Sequence, residues 1–155
     1  MLAILLDTAA LAITAAFAGV SLCCSVVDAP AMLDMQGPCT AMYFSGWYHR
    51  LRKLQRNNIA ASSACSILRV LCFDTPTPLW AAHIANAVAL WGIFAFTVKY
   101  MLPGNMELLA MAKQPAEYSE RQCKHLISTW SQLHVFRTGL SSIAFFVMAV
   151  TAFCT

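Results

Sequence analysis

Three side chains able to do chemistry stand close together in Trp130-Ser131-Gln132-Leu133-His134-Val135-Phe136-Arg137. Residues three and four apart on a helix share a face, so the Trp130 indole, the His134 imidazole and the Arg137 guanidinium point one way. The stretch that follows, Thr138 to Cys154, contains no charged residue. Ionisable groups at the edge of such a segment are costly to bury and therefore mark a functional-site hypothesis. The plainer reading is that Trp130 and Arg137 only anchor a helix at an interface. As chemistry, imidazole is the usual general base near neutrality, and a guanidinium stabilises a developing oxyanion.

A second group clusters at Trp47-Tyr48-His49-Arg50, and a third at Asn105 and Glu107. Aromatic walls, a titratable base and a fixed cation together suit a planar acidic substrate. His134 is the expected base, Arg137 the oxyanion partner and His49 the reserve base. Trp130, Trp47, Tyr48, Arg50, Asn105 and Glu107 are the expected substrate contacts. The sequence holds no Walker loop, dinucleotide fingerprint, Ser-His-Asp motif or iron triad. The seven cysteines contain no C-x-x-C pair and no zinc spacing, so they read as small apolar packing residues. No metal site is expected. His83 with Asn86, three residues on, reads as a buried hydrogen-bonded pair. A haem held between His83 and His134 is disfavoured, because about ten residues of helix, ~15 Å, separate them along the axis.

The elements that must position these groups follow from composition. The 155 residues are 59% hydrophobic and 11% charged, with a mean hydropathy of +0.63. Soluble domains carry about 25% charged residues, so an integral membrane protein is expected. A net charge of +3 gives no reason to expect nucleic-acid binding. The N-terminus has no basic n-region and carries Asp7 within its apolar run, so the first helix is expected to be retained. One membrane domain, 1–155, is expected, with spans at about 2–27, 56–73, 79–102 and 126–154. The fold class is all-α, an antiparallel four-helix bundle with an amphipathic, basic extension on helix 2.

Several local expectations complete this picture. Ala12, Ala15, Ala16 and Gly19 offer a close-approach face, and Asp7 is taken as interfacial. Asp28-Ala29-Pro30 is read as the end of helix 1, and Leu102-Pro103-Gly104-Asn105 as the end of helix 3. Along the helix 2 extension, Tyr43, Trp47 and Arg50 share one face, with His49, Arg52, Lys53 and Arg56 on another. Arg69 is expected to snorkel. Ser119, three residues before Gln122, is a candidate cap for helix 4. Nine Lys and Arg residues flank the first and third connections, against Arg69 alone on the other side. The positive-inside rule then places those two connections in the cytosol and both termini in the lumen, in an endomembrane such as the ER.

The chain resembles the anthrone oxygenase-like membrane proteins. The resemblance rests on Asp28-Ala29-Pro30-Ala31, on Met101-Leu102-Pro103-Gly104-Asn105-Met106-Glu107-Leu108-Leu109-Ala110, and on Trp130-x-x-Leu133-His134-x-x-Arg137. It implies oxidation of an anthrone, an aromatic polyketide, to an anthraquinone, with O2 as co-substrate and no cofactor. Trp130 and Trp47 would then be stacking walls and Asn105 a donor to substrate. Partners would be that small molecule and membrane lipid, with a homo-oligomer left open. The competing readings are a non-catalytic membrane scaffold and a haem- or quinone-binding protein.

Overall fold

The structure, a computed structural model, describes residues 1–154. It is all-α, with no strand among the described residues. Four long helices account for nearly all of it: α1 (Leu2–Asp34), α2 (Gly37–Cys72), α3 (Thr77–Lys113) and α4 (Glu120–Cys154). The helices α1, α3 and α4 are long and apolar enough to cross a membrane. Helix α2, whose first half carries Arg50, Arg52, Lys53 and Arg56, is not among them. Helix α1 packs against α2 and α4, and α3 packs against the same two.

Two prolines behave differently from expectation. Neither Pro30 nor Pro103 ends its helix: α1 continues to Asp34 and α3 to Lys113. Proline lacks an N–H and its ring crowds the carbonyl four residues back. Each is preceded by a π-helical turn, at Cys24–Asp28 and at Thr97–Met101. There the Ala29 N–H bonds the Cys24 carbonyl, and the Leu102 N–H bonds that of Thr97. One extra residue per turn widens the ring of carbonyls, so the helix can pass the proline. Elsewhere the punctuation is as the sequence suggests. Helix α3 starts one residue before Pro78. In the cap of α4, Gln122 Oε1 accepts from the Ser119 N–H at 3.0 Å, and the Gln122 N–H donates to Ser119 Oγ at 3.2 Å.

Small residues do bring α1 close to its neighbours, but on a different face from the one expected. Ala10, Thr14, Ala18 and Ser21, spaced by three and four, are the buried ones. Ala12, Ala16 and Gly19 are exposed. Thr14 and Ser62 of α2 are bonded at 2.7 Å, Thr14 donates to Asn86 of α3 at 3.1 Å, and Asn86 donates to Ser62 and Ser66 at 3.0 and 3.1 Å. His83 joins this network through Ser66 at 3.2 Å and through Asp7 at 2.9 Å. Asp7 is therefore more than an interfacial acid, because Arg69 also pairs with it at 2.8 Å. Arg69 does not snorkel: it is buried and further held by the Asp74 carbonyl and by Thr75. Beyond this cluster lies an apolar layer of Phe17, Ile59, Leu90 and Ile93, with Leu140 packed on it. Beyond the layer is an aromatic group built on Phe44, Trp47, Tyr48 and Trp130.

Cysteines form no disulfide among the described residues. Cys24 and Cys123 are buried, while Cys23, Cys39 and Cys72 are exposed. The Cys154 side chain lies outside the described residues, as does Thr155.

Candidate active site between the second, third and fourth helices

A cavity of about 250 Å³ opens between α2, α3 and α4. Six of the nine residues expected from sequence line it: Trp47, Tyr48, Asn105, Trp130, His134 and Arg137. The other three do not. His49 and Arg50 are exposed on α2, and Glu107 is exposed on α3. A helix turns about 100° per residue, so the neighbours of Tyr48 and Asn105 in sequence face elsewhere.

Sequence reasoning missed Gln55, Arg52, Arg56 and Thr97, together with an apolar wall that includes Leu51, Ile59, Phe94 and Val98. Their signal was helical spacing: Tyr48, Arg52, Gln55 and Ile59 recur at intervals of four, three and four on one stripe of α2. The two π turns supply the remaining pieces. The first carries Ser25, and the second carries Thr97, Val98 and Met101.

His134 is 1% exposed, and its hydrogen bonds determine its tautomer. Thr138 Oγ1 donates to the Ser21 carbonyl at 3.0 Å, so Ser25 Oγ donates to Thr138 Oγ1 at 2.7 Å. Both hydroxyl protons are then committed. His134 Nδ1, 3.3 Å from Ser25 Oγ and 3.4 Å from Thr138 Oγ1, must carry its own hydrogen and donate to those oxygens. Nε2 keeps the lone pair of the neutral ring, which is the acceptor a general base requires. The ring itself leans on Trp130 at 4.8 Å between centroids, and Trp130 meets Trp47 edge-on at 5.4 Å. Trp47 is fixed in turn by donating Nε1–H to Asp28 at 3.1 Å.

Arg137 is 6% exposed and, among the described residues, has no carboxylate partner. One Nη donates to Gln55 Oε1, and the guanidinium carbon sits 5.1 Å from the Phe17 ring centroid. Its Nε is buried without a hydrogen-bond partner. So are Gln55 Nε2 and Asn105 Oδ1. Buried polar groups are normally paired, and a buried cation without a counter-ion is costly. Gln55, Asn105 and Arg137, one from each of the three helices around the cavity, thus each keep an unpaired buried polar atom, and two donors beside a positive charge are complementary to a ligand with an anionic oxygen and a neighbouring hydroxyl.

His83 has both ring nitrogens engaged and belongs to the cluster on the far side of the apolar layer. It is not among the residues that line the cavity. No group of three His, Cys, Asp or Glu among the described residues could hold a metal ion.

Comparison with known proteins gives the family. A family model described as anthrone oxygenase matches residues 44–147, a range that includes every residue lining the cavity. Anthrone oxygenase tpcL of Aspergillus fumigatus is 28% identical over 140 residues, covering 87% of this chain and 86% of that protein. No solved structure matches. The chain belongs to the anthrone oxygenase family.

Proposed function

We propose that this chain oxidises an anthrone to an anthraquinone with O2, without a cofactor, using His134 as base and Arg137 with Gln55 as the oxyanion clamp. The observation that carries the reading is the pairing, in one cavity, of an imidazole whose Nε2 is free with a buried guanidinium that lacks a counter-ion.

In an anthrone the acidic methylene lies across the central ring from the carbonyl. Residues three apart on a helix present their side chains about 5–6 Å apart, which suits a base at the methylene and a cation at the carbonyl oxygen. His134 Nε2 removes a methylene proton, and the negative charge moves to that oxygen, where the Arg137 Nε–H and the Gln55 amide meet it. Such preplaced donors stabilise the charge as it develops. The electron-rich anion gives one electron to O2. The radical pair combines at the former methylene carbon, and His134 returns the proton to give a hydroperoxide. Removal of the second C–H proton breaks the O–O bond, leaving the carbonyl and one water. Trp47, Tyr48 and Trp130 flank the rings, and Asn105 accepts from a ring hydroxyl. No residue is required to change oxidation state.

The chain is further read as a single membrane domain, an up-and-down bundle in which α2 crosses while sheltered by the other helices. The contacts of Asp7 with Arg69 and of Thr14 with Ser62 support opposite directions for α1 and α2. Arg50 and Lys53, on the face of α2 turned away from the cavity, would lie along anionic headgroups. On the charge bias, the first and third connections would face the cytosol from an endomembrane.

Oxygen uptake by the purified protein with emodin anthrone tests the activity. Uptake above the spontaneous rate, insensitive to chelator and reduced about 10²–10⁴-fold in His134→Ala, is the expected result. Uptake no faster than background would instead favour a scaffold role.

A further inference from the structure

The cavity has a closed side and an open one. Its α4 lining, Trp130, His134 and Arg137, is entirely buried. Its exposed lining residues include Arg52 and Arg56 of α2 and Phe94 and Val98 of α3. The mouth therefore lies between α2 and α3, with two guanidiniums on one lip and two apolar side chains on the other.

The two arginines are four residues apart, and like charges at that spacing repel. Neither pairs with a carboxylate among the described residues. Arg52 lies 5.9 Å from the centroid of the Tyr48 ring, itself a cavity wall, so its head group stays at the rim. Guanidinium forks match carboxylates in pairs of parallel hydrogen bonds.

Building on the proposed function, we propose that Arg52 and Arg56 form a second anion subsite, and that the substrate is an anthrone carrying a carboxylate on its outer ring. The anthrone oxygen goes in first, to Arg137 and Gln55. The carboxylate remains at the mouth between Arg52 and Arg56, and Phe94 and Val98 cover the adjoining hydrocarbon.

Two fully oxidised probes test this without turnover: 1,8-dihydroxyanthraquinone and its 3-carboxylic acid. Affinities are read from quenching of Trp47 and Trp130 fluorescence, with the full chain in nanodiscs of neutral phosphatidylcholine. The carboxylated probe is expected to bind about tenfold more tightly, as two partly exposed ion pairs would give. In the Arg52→Gln, Arg56→Gln double variant that preference should fall to about one, with the plain probe's affinity unchanged. Equal affinities in the parent, or a preference that survives in the variant, overturn the proposal while leaving the activity standing. Loss of the variant's adhesion to phosphatidylglycerol vesicles, with probe preference intact, assigns the arginines to lipid headgroups and also overturns it. Failure of both probes to bind sinks the cavity reading itself.

Discussion

At one end of the bundle Asp7, Arg69, His83, Ser66, Asn86, Ser62 and Thr14 bond to one another, and none of their buried polar atoms is left over. At the other end Arg137 is equally buried, yet its Nε, Gln55 Nε2 and Asn105 Oδ1 all lack partners. Both regions use buried charge, and one apolar layer separates them. The closed cluster contributes to holding three helices in register, since every hydrogen bond crosses between them or closes a turn. The open one lines a cavity and waits for atoms that the chain does not provide. The contrast teaches that burial of charge does not itself single out a candidate site; a buried charge left without a counter-ion beside a cavity does.

The comparison can be broken from either side. Arg137→Met removes a cation without a counter-ion, so turnover should fall about 10²–10³-fold while the melting temperature holds or rises; a marked loss of stability would show that Arg137 is structural after all. Asp7→Ala does the reverse. It strands Arg69, and because Asp7 is 23% exposed the cost is about 2–3 kcal/mol rather than the full figure for a buried pair. Thermal unfolding should register it, with turnover per folded molecule little changed.

Trp130, His134 and Arg137 were legible in the sequence because helical spacing alone fixes which side chains share a face. Trp47, Tyr48 and Asn105 were included as members of short clusters, and the structure places them on the cavity as well. Gln55 was missed because it lies in a basic run, where a neutral amide draws no notice until its place on the Tyr48 stripe is known. His49, Arg50 and Glu107 were included for nearness in sequence, which a helix does not convert into nearness in space. Pro30 and Pro103 were read as stops, since nothing in the residues announces that a π turn just before each lets the helix continue.

Smaller effects sharpen the contrast further. Gln55→Glu would give Arg137 the carboxylate that Arg69 already has, turning the open end into a closed one. Affinity for hydroxyanthraquinone should drop about tenfold, the equivalent of one charge-assisted contact, measured by the same fluorescence quenching. His49→Ala and Glu107→Ala should change turnover less than twofold and stability by no more than about 0.5 kcal/mol, as for ordinary exposed positions. A tenfold loss in either would restore a residue that the cavity leaves out.

The layer of Phe17, Ile59, Leu90 and Ile93 has one more effect. Those four side chains carry no polar atom, and no hydrogen bond among the described residues runs across them from the His134 group to the His83 cluster. A substitution that unsettles one imidazole should therefore leave its counterpart's hydrogen bonds untouched.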